Sequence, residues 1–179
     1  MFEGDPTVIE GFEIPYDGGL FLTVLAIHVL SGLICVIAGA VAMLSEKRKG
    51  RHTTAGSIYY WGLWVVFITA TLMAASRWKE DYHLFLLGLF SFSASYIGRR
   101  AQKKQWKKWS IYHVAGMALS YIFLLIAFYV DNGRFLPLWK DLHPVVYWLL
   151  PLLIGIPLLI RTLLKNPLTR NHFRKRNHL

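Results

Sequence analysis

From residue 20 to residue 44 the chain runs for 25 residues without a formal charge, and four more apolar stretches follow at 55–75, 82–97, 110–130 and 143–160. No other feature limits the fold as strongly. A helix needs roughly 20 apolar residues to cross a hydrocarbon core about 30 Å thick. Inside a bilayer only a helix satisfies every backbone group within one segment, so the stretches read as helices despite their many Val, Ile and Phe. The third is short and is expected to borrow from its aromatic and polar flanks. The expected fold is all-α: an integral membrane bundle of about five transmembrane helices.

Charge then decides between two classes of basic protein. The 179 residues are 55% hydrophobic, with 20 Lys+Arg against 10 Asp+Glu and a formal charge of +10. Such a balance suits either a nucleic-acid binder or a membrane protein with basic loops. The charges sit in short segments between apolar runs, which excludes nucleic acid as the expected partner. Lys47, Arg48, Lys49 and Arg51 follow the first run; Arg99, Arg100, Lys103, Lys104, Lys107 and Lys108 follow the third. Arg161, Lys165, Arg170, Arg174, Lys175 and Arg176 follow the fifth, so 16 of the 20 basic residues fall on one side. The positive-inside rule makes that side cytoplasmic. All the acids except Glu46 fall on the other. The N-terminus is therefore expected outside and the C-terminus inside.

Three regions follow: an irregular outer segment at 1–19, a five-helix domain at 20–164 and a basic cytoplasmic tail at 165–179. The first 19 residues lack a basic start and a small-residue cleavage site, so no cleaved signal peptide is expected. Trp61, Trp106, Trp109, Trp139 and Trp148 read as interfacial anchors. Pro151, Gly155 and Pro157 predict a bent or broken fifth helix. The lone Cys35 permits no internal disulfide, and no clear internal repeat is visible.

Seven histidines carry the functional argument. His172 and His178 lie in the tail; His28, His52, His83, His113 and His143 lie in or at the ends of spans. An ionisable side chain in hydrocarbon is costly and is a functional candidate by default. Counting about 1.5 Å per residue from each span's midpoint, His28 lies roughly 6 Å to the outer side, His83 about 10 Å and His143 about 15 Å. On the inner side His113 lies about 10 Å from the centre and His52 about 20 Å. His28 shares a helical face with Gly32, Cys35 and Gly39, and His113 begins another with Gly116, Ser120 and Ala127. His52 precedes Gly56 and the Tyr59–Tyr60 pair. Small residues on one face mark close helix packing or room for a bulky ligand. His28 and His113 are thus expected to face the bundle interior, and Gly32→Leu to disturb packing.

Two histidines at similar depth on separate helices supply both axial ligands of a b-type haem. The outer candidates are His28 with His83, the inner ones His52 with His113. Tyr59 or Tyr60 would support the inner site. Metal ligation by His28, His52 and His113 is the zinc alternative, although zinc takes three or four ligands. No His-Glu-x-x-His, Cys-x-x-Cys, P-loop or dinucleotide fingerprint appears, and the span interiors contain no acid. A structural or accessory membrane subunit without a cofactor, and a metal- or proton-linked transporter, are the other readings. The partners expected are the lipid bilayer, and further copies of the chain or a larger membrane complex.

The stretch from His28 to Met43, with Gly50, His52, Gly56 and Tyr59, resembles the "H…G…aG…G.H…G..Y" pattern of an uncharacterised bacterial membrane family. That family is labelled domain-of-unknown-function 2306. The likeness continues through Tyr96 to Arg99, "HVAGMALSY" from His113, "AFYVDNG" from Ala127 and "WLLPLLIGIP" from Trp148, and spans most of 20–160. The resemblance implies a small multi-helix bundle in a bacterial cytoplasmic membrane and no established activity. His28, His52 and His113 match its recurrent histidines; His83 and His143 do not carry over.

Overall fold

The computed structural model describes residues 7–9, 12–14, 18–137, 140–165 and 169. Among them are five α-helices: α1 Gly18–Leu44, α2 Arg51–Ser76, α3 Trp78–Lys103, α4 Trp109–Asn132 and α5 Pro144–Lys165. A 3-10 turn, Gly133–Phe135, extends α4. Two short strands, β1 Thr7–Ile9 and β2 Phe12–Ile14, pair antiparallel with Thr7 opposite Ile14. They lie within the segment expected to be irregular. Histidines 172 and 178, Trp139 and all of the basic tail beyond Lys165 except Thr169 are outside the described residues.

The α1, α2, α4 and α5 segments are long and apolar enough to cross a membrane. Large apolar side chains cover their surfaces, among them Leu30, Leu33, Ile37, Leu72, Leu153 and Ile154. Monomeric soluble proteins rarely leave so continuous an apolar surface exposed. The chain is a multi-pass membrane protein. The α3 helix falls short of the same measure, because its charged residues crowd both ends and serines interrupt its centre. Two of these three serines are not presented to lipid. Ser91 and Ser95 are buried, and Ser91 Oγ donates to the Ser120 carbonyl at 2.8 Å.

Two compact units divide the chain, Met1–Phe85 and Leu86–Leu179. In the first, α1 and α2 form an antiparallel hairpin: Cys35 Sγ donates to the Tyr59 carbonyl, while His52 near the start of α2 meets Ala42 near the end of α1. The buried stripe of α1 is Ser31, Cys35, Ala38 and Ala42, at helical steps of four, three and four. Larger Tyr59, Leu63 and Val66 of α2 are also buried. Small residues on α1 leave room for large ones on α2, which brings the helices together without a bulky core.

In the second unit, the part of α3 from Leu86 onward packs on α4, and α4 packs on α5. Ile122, Ile126 and Leu87 form the core cluster, flanked by Phe123, Leu152 and Ile156. A Cβ on Gly155 would meet Ile122 Cγ1 at 2.5 Å, and one on Gly133 would meet the Tyr147 ring at 2.7 Å. The α5 helix is uninterrupted from Pro144 to Lys165 with Pro151 and Pro157 inside it, so of the bent or broken helix expected, the broken form does not occur. Gly155 lets α5 close on Ile122 of α4; Pro151 is buried and Pro157 is exposed.

Trp61 also departs from expectation. It stands ten residues into α2, near the middle of the helix, and is 61% exposed.

Candidate functional site

Three of the histidines are tied to a neighbouring helix by a hydrogen bond at Nδ1. His28 Nδ1 lies 2.9 Å from Thr69 Oγ1. That hydroxyl already donates to the Val65 and Val66 carbonyls, at 2.8 and 3.0 Å. With its single hydrogen on either carbonyl, the hydroxyl accepts from His28 Nδ1–H; the other tautomer of His28 reverses the bond. His52 Nδ1 lies 2.8 Å from the Ala42 carbonyl and His113 Nδ1 lies 3.2 Å from the Gly98 carbonyl. A carbonyl oxygen only accepts, so both rings donate from Nδ1. In neutral His52 and His113 Nε2 therefore holds the basic lone pair, as it does in the Nδ1–H tautomer of His28. Metal-bound histidines usually have this arrangement, with the second nitrogen tied to an oxygen that orients the ring.

Each of these histidines is followed one turn later by glycine, and the surroundings of the three glycines differ. A Cβ built on Gly32 or on Gly56 meets nothing within 4 Å. A Cβ on Gly116 would lie 2.5 Å from the Ala94 carbonyl oxygen and 2.9 Å from Gly98 Cα. The turns beside His28 and His52 are open, while the turn beside His113 is a close helix crossing. This corrects the expectation for Gly32, where a larger side chain has space. The tight glycine of the α1–α2 hairpin is Gly62, whose Cβ would meet Cys35 Sγ at 2.7 Å. Shared helical face was readable from spacing; which part of that face meets a neighbour was not.

The other histidines have simpler settings. Half-buried His83 stands in the first turns of α3, edge-on to Tyr82 with ring centroids 5.6 Å apart. His143 is exposed and its Nδ1 accepts from the Val145 N–H at 3.4 Å, capping α5. Tyr59 and Tyr60 are buried, and Tyr60 packs edge-on against Trp61. Among the described residues no three His, Cys, Asp or Glu side chains form a group able to hold a metal ion.

Sequence reasoning missed Thr69, the partner that orients His28. It sits two helical turns from the end of a long apolar run, and a single hydroxyl there gives no signal by itself. The Ser91–Ser95–Gly98 stripe of α3 was missed too; small residues at steps of four and three are the signal that could have found it. At the end of α1, Lys47 Nζ donates to the Ala42 and Met43 carbonyls at 3.1 and 2.5 Å. Burial pushes its ammonium below the usual lysine range.

The chain matches no family model, no curated protein and no solved structure with which it was compared.

Proposed function

We propose that this chain is a multi-pass membrane redox protein that binds a b-type haem through histidine Nε2 atoms at membrane depth. One observation carries the reading. At His28 and His52 a ring anchored through Nδ1 stands beside a turn that glycine keeps open. A planar macrocycle needs both an oriented imidazole and that space. His113 offers the anchored ring with a closed turn, and His83 completes the outer candidates. A bound haem would supply one-electron chemistry. The protein's own part is to fix each ring by its Nδ1 bond, to set the ligand's basicity and to exclude water with apolar helices. Zinc is less well supported, because its sites take three or four ligands and no such group occurs among the described residues.

The orientation proposed with it has five spans, N-terminus out and C-terminus in. Support comes from the loops: crossing by α3 puts the basic segments at 47–51, at 99–108 and after 160 on one side. The uncharged centre of α3, residues 82–98, is about 25 Å long, and two of its serines, Ser91 and Ser95, are buried. Kinship with the family labelled domain-of-unknown-function 2306 belongs to the same proposal.

A second reading is favoured by the Thr69 contact itself. A histidine that ties α1 to α2 through one hydrogen bond already serves a structural purpose, as in an accessory subunit. An absorption spectrum of the purified chain separates the two. A reducible Soret band is expected for the redox reading; its absence after expression with ample haem leaves the accessory one. Cysteines introduced at 103–108 are expected to resist outside labelling, and those at 80–81 to accept it.

A further inference from the structure

A groove of about 640 Å³ runs along the surface of the α1–α2 hairpin. Ile34 of α1 forms one wall, Thr54, Ser57, Ile58 and Trp61 of α2 the other, and Gly62 lies at its deep end. We infer that this groove seats one acyl chain of an anionic phospholipid, whose phosphate is met by Lys49 and Arg51. The inference rests on the bilayer placement of α1 and α2 and is independent of the haem reading.

Three features of the groove point to that occupant. The first is length. Thr54 to Gly62 is about eight steps of helical rise, about 12 Å, and half of a ~30 Å hydrocarbon core is about 15 Å. The groove therefore reaches from one headgroup level to near the bilayer centre, the extent of a single leaflet. The second is its gradient. The hydroxyls of Thr54 and Ser57 stand at the loop end, where ester and phosphate oxygens lie, and Ile58, Trp61 and Ile34 stand deeper. A tryptophan exposed in mid-helix is unusual, since indoles collect at the interface. Here the ring forms a wall.

Charge is the third. Of the four cations at 47–51, Lys47 is bound to helix carbonyls and Arg48 is paired with Glu46 at 2.6 Å. Lys49 and Arg51 are exposed and carry no ion pair among the described residues. They stand within five residues of Thr54, at the mouth of the groove. Basic residues beside a membrane helix attract anionic lipid, and two of them aligned with a groove give that attraction a fixed place.

Vesicles containing the full chain and acyl-spin-labelled phosphatidylglycerol or phosphatidylcholine test the inference. The wild type is expected to immobilise phosphatidylglycerol preferentially, by about fivefold for each of the two cations. The double variant Lys49→Gln, Arg51→Gln should bring the preference close to unity. Ser57→Phe fills the groove at constant charge and should do the same. Trp61→Ala, at an exposed position where folding is not at stake, should lower it at least twofold. Equal immobilisation of both lipids by the wild type overturns the inference. So does a preference that falls with the charges yet survives Ser57→Phe and Trp61→Ala, because that is diffuse attraction. Cross-linking of Ser57→Cys copies to each other with release of the label would assign the groove to a second chain instead. If neither lipid is immobilised at all, the bilayer placement fails as well.

Discussion

The α1–α2 hairpin and the α3–α4 pair in the second unit use the same parts to different ends. Each has a basic connection, and in each a histidine near the start of the second helix donates Nδ1–H to a carbonyl of the first. Each places a glycine one turn beyond that histidine. In the first hairpin Gly56, like Gly32 beside His28, faces open space; in the second, Gly116 meets Gly98 backbone to backbone. The lesson concerns what a glycine next to a histidine means in a membrane helix. The spacing is common to a ligand cradle and to a helix crossing, and only the neighbouring helix separates them. The repeated histidine-to-carbonyl tie was invisible as a repeat in the sequence, because the partner lies 10 residues away in one hairpin and 15 in the other.

The largest expected effect sharpens that contrast directly. Gly116→Leu forces a side chain against backbone atoms of α3 that cannot yield, and should cost at least about 3 kcal/mol. Gly32→Leu should cost less than about 0.5 kcal/mol, as for a surface change. Thermal unfolding of both variants in one detergent provides the comparison, and similar losses would erase the distinction between the two hairpins.

Next in size are the connections. Gly50 sits at φ 118° and ψ −130°, a region essentially closed to side chains, so Gly50→Ala should cost roughly 1–3 kcal/mol. In the second connection Gln105 takes φ 50°, while Trp106 N–H returns to the Ala101 carbonyl at 3.1 Å and Gln105 N–H to that of Gln102. That is a Schellman ending with a glutamine where glycine is favoured. Gln105→Gly should therefore stabilise by about 0.5–1 kcal/mol, opposite in sign to the change at Gly50.

Intermediate effects come from Gly62. Gly62→Ala drives a methyl into Cys35 Sγ and should destabilise by about 1 kcal/mol. Combining it with Cys35→Ala removes the sulfur and should recover much of that loss, a coupling visible in a double-mutant cycle. The smallest effects are the cross-helix hydrogen bonds. Thr69→Val and Ser91→Ala should each cost about 0.6 kcal/mol, the average for such bonds in membranes. A loss above about 2 kcal/mol at Thr69 alone would mark His28 as a structural tie.

Much of this architecture was readable in the sequence. Four apolar runs became helices that qualify as spans, since length and absence of charge suffice to identify them. The α3 helix was harder, because serines that α4 covers look polar to any reading that assumes lipid on all sides. His113, Gly116 and Ser120 were recognised as one face, and that face does pack. Gly32 was not placed correctly, since the same stripe logic cannot tell the side of α1 that meets α2 from the side next to it. The strands at 7–14 escaped notice because Gly11 and Pro15 suggest turns without showing what they connect. Trp61 falls near mid-helix because α2 starts at Arg51 and carries its first polar turn into the helix.

The most direct measurement is the reduced-minus-oxidised spectrum and iron content of purified wild type, His28→Ala and Gly32→Leu proteins, with matched helicity. The haem reading predicts a Soret band in the wild type that is lost in His28→Ala. It also predicts loss or displacement in Gly32→Leu, whose side chain fills the open turn without disturbing the fold. A wild type without iron, or variants that both keep the wild-type spectrum, would contradict it and leave the histidines as ties between helices.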